Sequence, residues 1–200
     1  MKKTFFYLTG IFLVILGCSK CKEEVNPYAG DIENLEMNGR PWKRFDGWKA
    51  EVYAGSAISA FACYPKDNPD SLFQFSIYYD TQDHYNREAL IISDLKPRIG
   101  VQKIFKKRQD INGCPPFDVP SAGFYLSAED GDVSVGDYDI FEKADNFINI
   151  TSFDKKTNEM RGTFDVTFTV SSRLAYLKDS YPDTLRFHNG QFKTIFVRTR

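Results

Sequence analysis

Apolar side chains recur at every second position along much of this chain. The clearest run is Glu159–Val170, where Phe164, Val166, Phe168 and Val170 alternate with Thr163, Asp165, Thr167 and Thr169. Successive side chains of a strand point to opposite faces, so this run has one apolar and one polar face. The stretch Asn146–Phe153 precedes it, across the polar loop Asp154–Asn158, which carries the turn formers Asp and Asn. The two arms predict a long antiparallel hairpin whose apolar face requires a second layer.

The same reading predicts strands at Lys49–Ala54, Ala57–Tyr64, Ser71–Tyr79, Ala89–Leu95, Gly100–Lys106, Ala122–Ser127 and Tyr138–Glu142. Clusters of Gly, Pro, Asp or Asn separate most of them. In one, Phe73, Phe75 and Ile77 alternate with Gln74, Ser76 and Tyr78. Two Asn-Gly pairs, Asn38-Gly39 and Asn189-Gly190, have the positive-φ tolerance of a tight hairpin turn. The second predicts a hairpin between Thr184–His188 and Gln191–Val197. Between the long hairpin and this one, Ser171–Pro182 is polar, with one helical turn expected at Arg173–Lys178. Neither a long amphipathic helix nor a fixed-period repeat is visible. Short strands with regular turn signals predict an all-β domain, an antiparallel β-sandwich or barrel-like body. Aromatic residues supply 16% of the 200 residues, with 18 Phe and 11 Tyr, enough large rings for a solid core.

The first residues break this pattern. Lys2 and Lys3 lead into the uncharged run Thr4–Leu16, shorter than the roughly 20 apolar residues a spanning helix needs. It ends in Ile15-Leu16-Gly17-Cys18. These residues resemble a bacterial lipoprotein signal: branched apolar residues, a small residue, then Cys. The resemblance implies cleavage after Gly17 and lipidation of Cys18, whose acyl chains would anchor the protein at about 0.8 kcal/mol per buried CH₂. The chain then divides into a signal at 1–17, a lipidated tether at 18–33 and an all-β domain at 34–200. Cleavage takes two positive charges, Lys2 and Lys3, from a formal net charge of −1 and leaves −3. That balance argues against nucleic acid as a partner.

Lys22-Glu23-Glu24, just after the lipidated Cys, resembles the surface-export signal of Bacteroidota lipoproteins. The likeness implies the outer membrane with the domain facing outside; a solvated charged tether on a periplasm-facing protein is the alternative. Asn38-Gly39-Arg40-Pro41-Trp42, Gly162-Thr-Phe-Asp-Val166 and His188-Asn-Gly-Gln-Phe192 are similar to stretches of uncharacterised all-β Bacteroidota lipoproteins, a family that brings no assigned activity. The Gly-x-Trp of lipocalins is not matched, because Gly39 and Trp42 are too far apart and Gly47-Trp48 are adjacent.

Of the four cysteines, Cys18 is assigned to lipid. In an exported protein Cys63 and Cys114 are the natural disulfide, and closing that loop would contribute roughly 4 kcal/mol in the chain-entropy model. Cys21 is left over in the tether. His84 and His188 fit no ligand or triad spacing and read as solvated turn residues. Glu129–Asp139 is the densest carboxylate stretch, but Val135 stands where a calcium loop needs its sharp-turn Gly and no Glu closes it. It reads as a hairpin tip, so no metal and no cofactor is expected. Lys103–Arg108 reads as a solvated basic strand end. No phosphate loop or nucleophile elbow is present. The remaining chemistry lies in rings: Trp42, Trp48, Tyr78, Tyr79 and Tyr85 are candidates to stack on a sugar or peptide. Tyr78 and Tyr79 are adjacent, so in a strand one of them faces outward. The sequence therefore points to a lipid-anchored, non-enzymatic binding module of the cell envelope, with a membrane as one partner and a glycan or protein as ligand. A structural or envelope-assembly lipoprotein is the second reading, and a glycan-active enzyme the third.

Overall fold

The computed structural model describes residues 31–42, 49–56, 72–80, 86–107, 119–128 and 131–197. The leader, Cys18, Cys21, Trp48, the expected strand Ala57–Tyr64, Cys63, His84, Tyr85 and Cys114 lie outside the described residues.

Thirteen strands are described: β1 (Asp31–Glu33), β2 (Glu36–Met37), β3 (Arg40–Pro41), β4 (Lys49–Ser56), β5 (Phe73–Asp80), β6 (Asn86–Leu95), β7 (Gly100–Lys103), β8 (Phe105–Lys106), β9 (Ser121–Ser127), β10 (Ser134–Ile140), β11 (Phe147–Phe153), β12 (Glu159–Arg173) and β13 (Thr184–Val197). A single 3₁₀ turn at Ala175–Leu177 lies where the helical turn was expected. The fold is all-β and barrel-like. Neighbours run β4-β5-β6-β9-β10-β12, with β13 beside β12, and the path returns on itself because Phe196 and Val197 of β13 pair with Ala54 and Gly55 of β4. The last pairing is parallel; the others in this circuit are antiparallel. Closure removes most open sheet edges, the usual liability of a large sheet.

The period-two pattern sets the inside. Phe73, Phe75, Ile77 and Tyr79 of β5 are buried, as are Leu90 and Ile92 of β6, Phe124 and Leu126 of β9, and Phe164, Val166 and Phe168 of β12. β13 adds Leu185, Phe187, Phe192 and Phe196. The rings interlock: Phe124 meets Trp42, Tyr138, Phe168, Tyr181 and Phe187 at centroid distances of 5.1–6.3 Å.

The hairpin β11–β12 forms as expected, and β12 is its longer arm. The first half of β12 pairs with β11 and its second half with β10, while β13 follows it along most of its length. Where β12 changes partner, Thr167 would lose its ladder bonds. Asn146 repairs the gap: its Oδ1 accepts the Thr167 N–H at 2.7 Å, and its Nδ2 donates to the carbonyls of Phe141 and Ala144. The Thr167 carbonyl accepts the Phe141 N–H at 2.8 Å. Asn146 is buried, so Asn146→Ala leaves the Thr167 N–H without its acceptor and is expected to cost about 1–3 kcal/mol, read as a lowered urea midpoint at unchanged slope.

Two expectations at the C-terminal end are corrected. β13 is one strand of 14 residues, not a hairpin. Asn189 does adopt positive φ, 57°, but it uses it for a bulge: opposite β12 the register shifts between Phe164/Gly190 and Val166/Phe187. The long strand β12 on one side and the short strands β1 and β2 on the other hold the chain straight where the dipeptide alone would turn it. Accordingly His188 is not a turn residue; it sits within β13, half-buried, with Nε2 3.3 Å from Glu36 Oε2. At Asn38-Gly39 the hairpin does form, with φ of 54° and 74° between β2 and β3. The expected strand Gly100–Lys106 is split at buried Ile104, because β7 pairs with β11 while β8 pairs with β9.

Candidate functional site

β6 places a carboxylate inside the barrel. Leu90 and Ile92 point inward, so Glu88, two residues before, does too, opposite Tyr79 of β5. It is 1% exposed. Its Oε2 accepts the Trp42 indole N–H at 2.5 Å, and its Oε1 accepts the Tyr181 hydroxyl. The Tyr79 hydroxyl donates to the Trp42 carbonyl, and the Trp42 and Tyr79 rings tilt together at 4.6 Å. Four residues from β5, β6, the segment after β3 and the connection before β13 thus close one end of the barrel.

Burial, and then the charge of Glu88, pushes the Tyr79 hydroxyl up from 10 to about 12. The folded chain therefore keeps a proton that the unfolded chain releases near pH 10, and stability falls as pH rises from about 10 to about 12. Denaturant titration across that range, with tyrosinate absorbance as a parallel readout, checks the window.

A second network braces the same end. Tyr138 donates to the carbonyls of Tyr181 and Pro182 at 3.0 and 3.3 Å. Arg173 donates to the Tyr138 oxygen, to the Tyr181 carbonyl and, at 2.7 Å, to Asp183 Oδ1. Burial raises the Tyr138 hydroxyl, an effect the Arg173 bond opposes.

Trp42 and Tyr79 are therefore not exposed stacking platforms. They are 3% and 7% exposed and belong to the core, because the barrel end needs both their area and their polar tips. They do form part of the wall of a cleft of about 540 Å³ with Ile32, Asn34, Leu35, Glu36 and Pro41. Tyr78, on the other face of β5, is half-buried. In the Glu129–Asp139 stretch, Asp137 accepts from Ser134 and Ser172, and Asp139 pairs with Lys106 at 2.9 Å. Lys103 of the basic run pairs with Asp145 at 3.5 Å.

Two more clefts lie beside β1 and β2. Both strands pair with the side of β13 away from β12, in one continuous antiparallel register, Asp31 opposite Lys193 and Glu36 opposite His188. The register carries through, but the pairing skips Asn34, φ 57°, and Leu35, across from the Asn189 bulge. A notch of about 520 Å³ opens there, lined by Asn34, Glu36, Phe147, Thr163, Phe164, Asp165, Asn189 and Gln191. A smaller cleft of about 260 Å³ shares Thr163 and Gln191 and runs on toward Thr151, Arg161 and Lys193.

The sequence reading missed Glu88, Tyr181 and the Asn34–Asn189 notch. A signal for Glu88 existed: it is a charge on the apolar parity of Glu88-Ala-Leu-Ile-Ile92. Tyr181 sits in a polar connection, where nothing marks it. No protein-family model matches the chain, and neither the curated proteins nor the solved structures contain a match.

Proposed function

We propose that the protein is a lipid-anchored module of the bacterial cell envelope that binds its ligand without transforming it. The observation that carries this reading is the order of parts along one chain: a basic start, an apolar run, Leu16-Gly17-Cys18, a charged tether and then a barrel-like body. Acyl chains on Cys18 would hold that body at a membrane surface outside the cytoplasm. Lys22-Glu23-Glu24 supports the outer face of the outer membrane. Two of the buried polar side chains are committed to the fold. Glu88 is held by Trp42 and Tyr181, and Asn146 by backbone, so both serve the fold.

Labelled fatty acid should enter the protein in living cells and fail to enter a Cys18→Ala variant. Protease added to intact cells should remove the domain. Label in the Cys18→Ala protein would refute the anchor, and protection from protease would move the domain to the periplasmic face.

A further inference from the structure

We propose that the notch at the Asn34–Asn189 bulge, continued by the cleft along β12 and β13, is a groove for a neutral oligosaccharide. This rests on the binding-module reading and names the ligand class for it. At about 520 Å³ the notch lies within the range of roughly 300–1,000 Å³ typical of small-molecule sites. Its wall sets planar amides and a hydroxyl beside the carboxylates of Glu36 and Asp165. Asn34, Asn189 and Gln191 each offer donors and an acceptor, and Thr163 a hydroxyl. Both asparagines hold φ near 57°, a costly conformation for a non-Gly residue, and a bulge re-aims side chains out of the regular pleat. Phe147, half-buried at the rim, offers an apolar surface beside them.

The charges narrow the class. Glu36 faces His188 at 3.3 Å, Asp165 faces Arg186 at 3.4 Å, and Glu159 faces Arg161 and Lys193 at 2.7 and 3.3 Å. With Asp31 and Glu33 also on the groove wall, carboxylates outnumber the cations Arg161, Lys193 and Arg186, so an acidic ligand is disfavoured, while sugar hydroxyls can donate to carboxylate and amide oxygens alike. Nor does the groove suit a peptide strand. Its backbone is already committed to the β1–β13, β12–β13 and β11–β12 ladders, so no sheet edge is open within it.

The test uses the full acylated chain in detergent micelles on an array of neutral glucan, mannan, galactan and xylan oligosaccharides. Uronic-acid oligosaccharides and a lysine-rich peptide serve as charged probes. Binding to at least one neutral family is expected. Gln191→Ala and Thr163→Ala should each weaken it roughly tenfold, the worth of one or two hydrogen bonds, without moving the melting temperature by more than a degree or two. Both side chains are on the outer face, so folding is not at stake; Lys178→Ala, remote on the 3₁₀ connection, should leave binding unchanged. Binding only to the charged probes, no binding at all, or neutral-glycan binding indifferent to both substitutions would overturn the groove. None of these results touches the lipid anchor, which stands or falls on the Cys18 labelling.

Discussion

Glu88→Ala is expected to lower the unfolding free energy by about 3–5 kcal/mol. The carboxylate accepts bonds from the Trp42 indole and the Tyr181 hydroxyl inside the barrel end, and hydrogen bonds to a charged group contribute about 1.5–3 kcal/mol each. Alanine would leave two buried donors without their acceptor. Globular domains hold only about 5–15 kcal/mol in total, so the variant should be marginally stable. Glu88→Gln keeps the shape and one carbonyl acceptor, so it should lose less, about half as much. Urea unfolding followed by circular dichroism gives the ranking. Equal losses in the two variants would mean that side-chain volume, not hydrogen bonding, is what Glu88 supplies.

Phe124→Ala should have an effect of similar size by a different route. Its ring is fully buried at the crossing of Trp42, Tyr138, Phe168, Tyr181 and Phe187, contributed by β9 to the centre of the interior. Deleting a buried Phe ring typically costs about 3–5 kcal/mol, part transfer and part cavity. The surrounding rings are held by closed ladders and by the Glu88 and Tyr138 bonds, so collapse into the cavity is restricted and the upper part of that range is expected. Phe124→Leu should recover more than half of the loss. Because Phe124 packs against both Trp42 and Tyr181, the effects of Phe124→Ala and Glu88→Ala should not add. A double variant whose loss equals the sum of the two would contradict a shared cluster.

The contrast between these two sites shows what the residue pattern could disclose. Phe124, Phe164, Val166 and Phe168 are visible as period-two apolar residues, and all are buried. The β11–β12 hairpin and the Asn38-Gly39 turn follow from local chemistry, which their surroundings leave intact. Asn189-Gly190 has the same local chemistry and a different outcome. There β12 and the β1–β2 segment flank the chain on both sides, and ladder bonds along β13 outweigh the preference of two residues. Closure of the barrel rests on Phe196 and Val197 meeting β4, a pairing separated by most of the chain and carried by no local signal. The notch is illegible for the same reason, since it needs Asn34 and Asn189 brought opposite one another. Trp42 was legible as an aromatic and misplaced as a surface ring, because its indole partner, Glu88, lies 46 residues away.

Intact-mass analysis of the protein extracted from the membranes of the cells that make it tests the whole account most directly. We expect a chain that begins at Cys18, carries acyl groups there and lacks residues 1–17. A chain that keeps its first seventeen residues, or an unmodified Cys18 recovered in the soluble fraction, would contradict it.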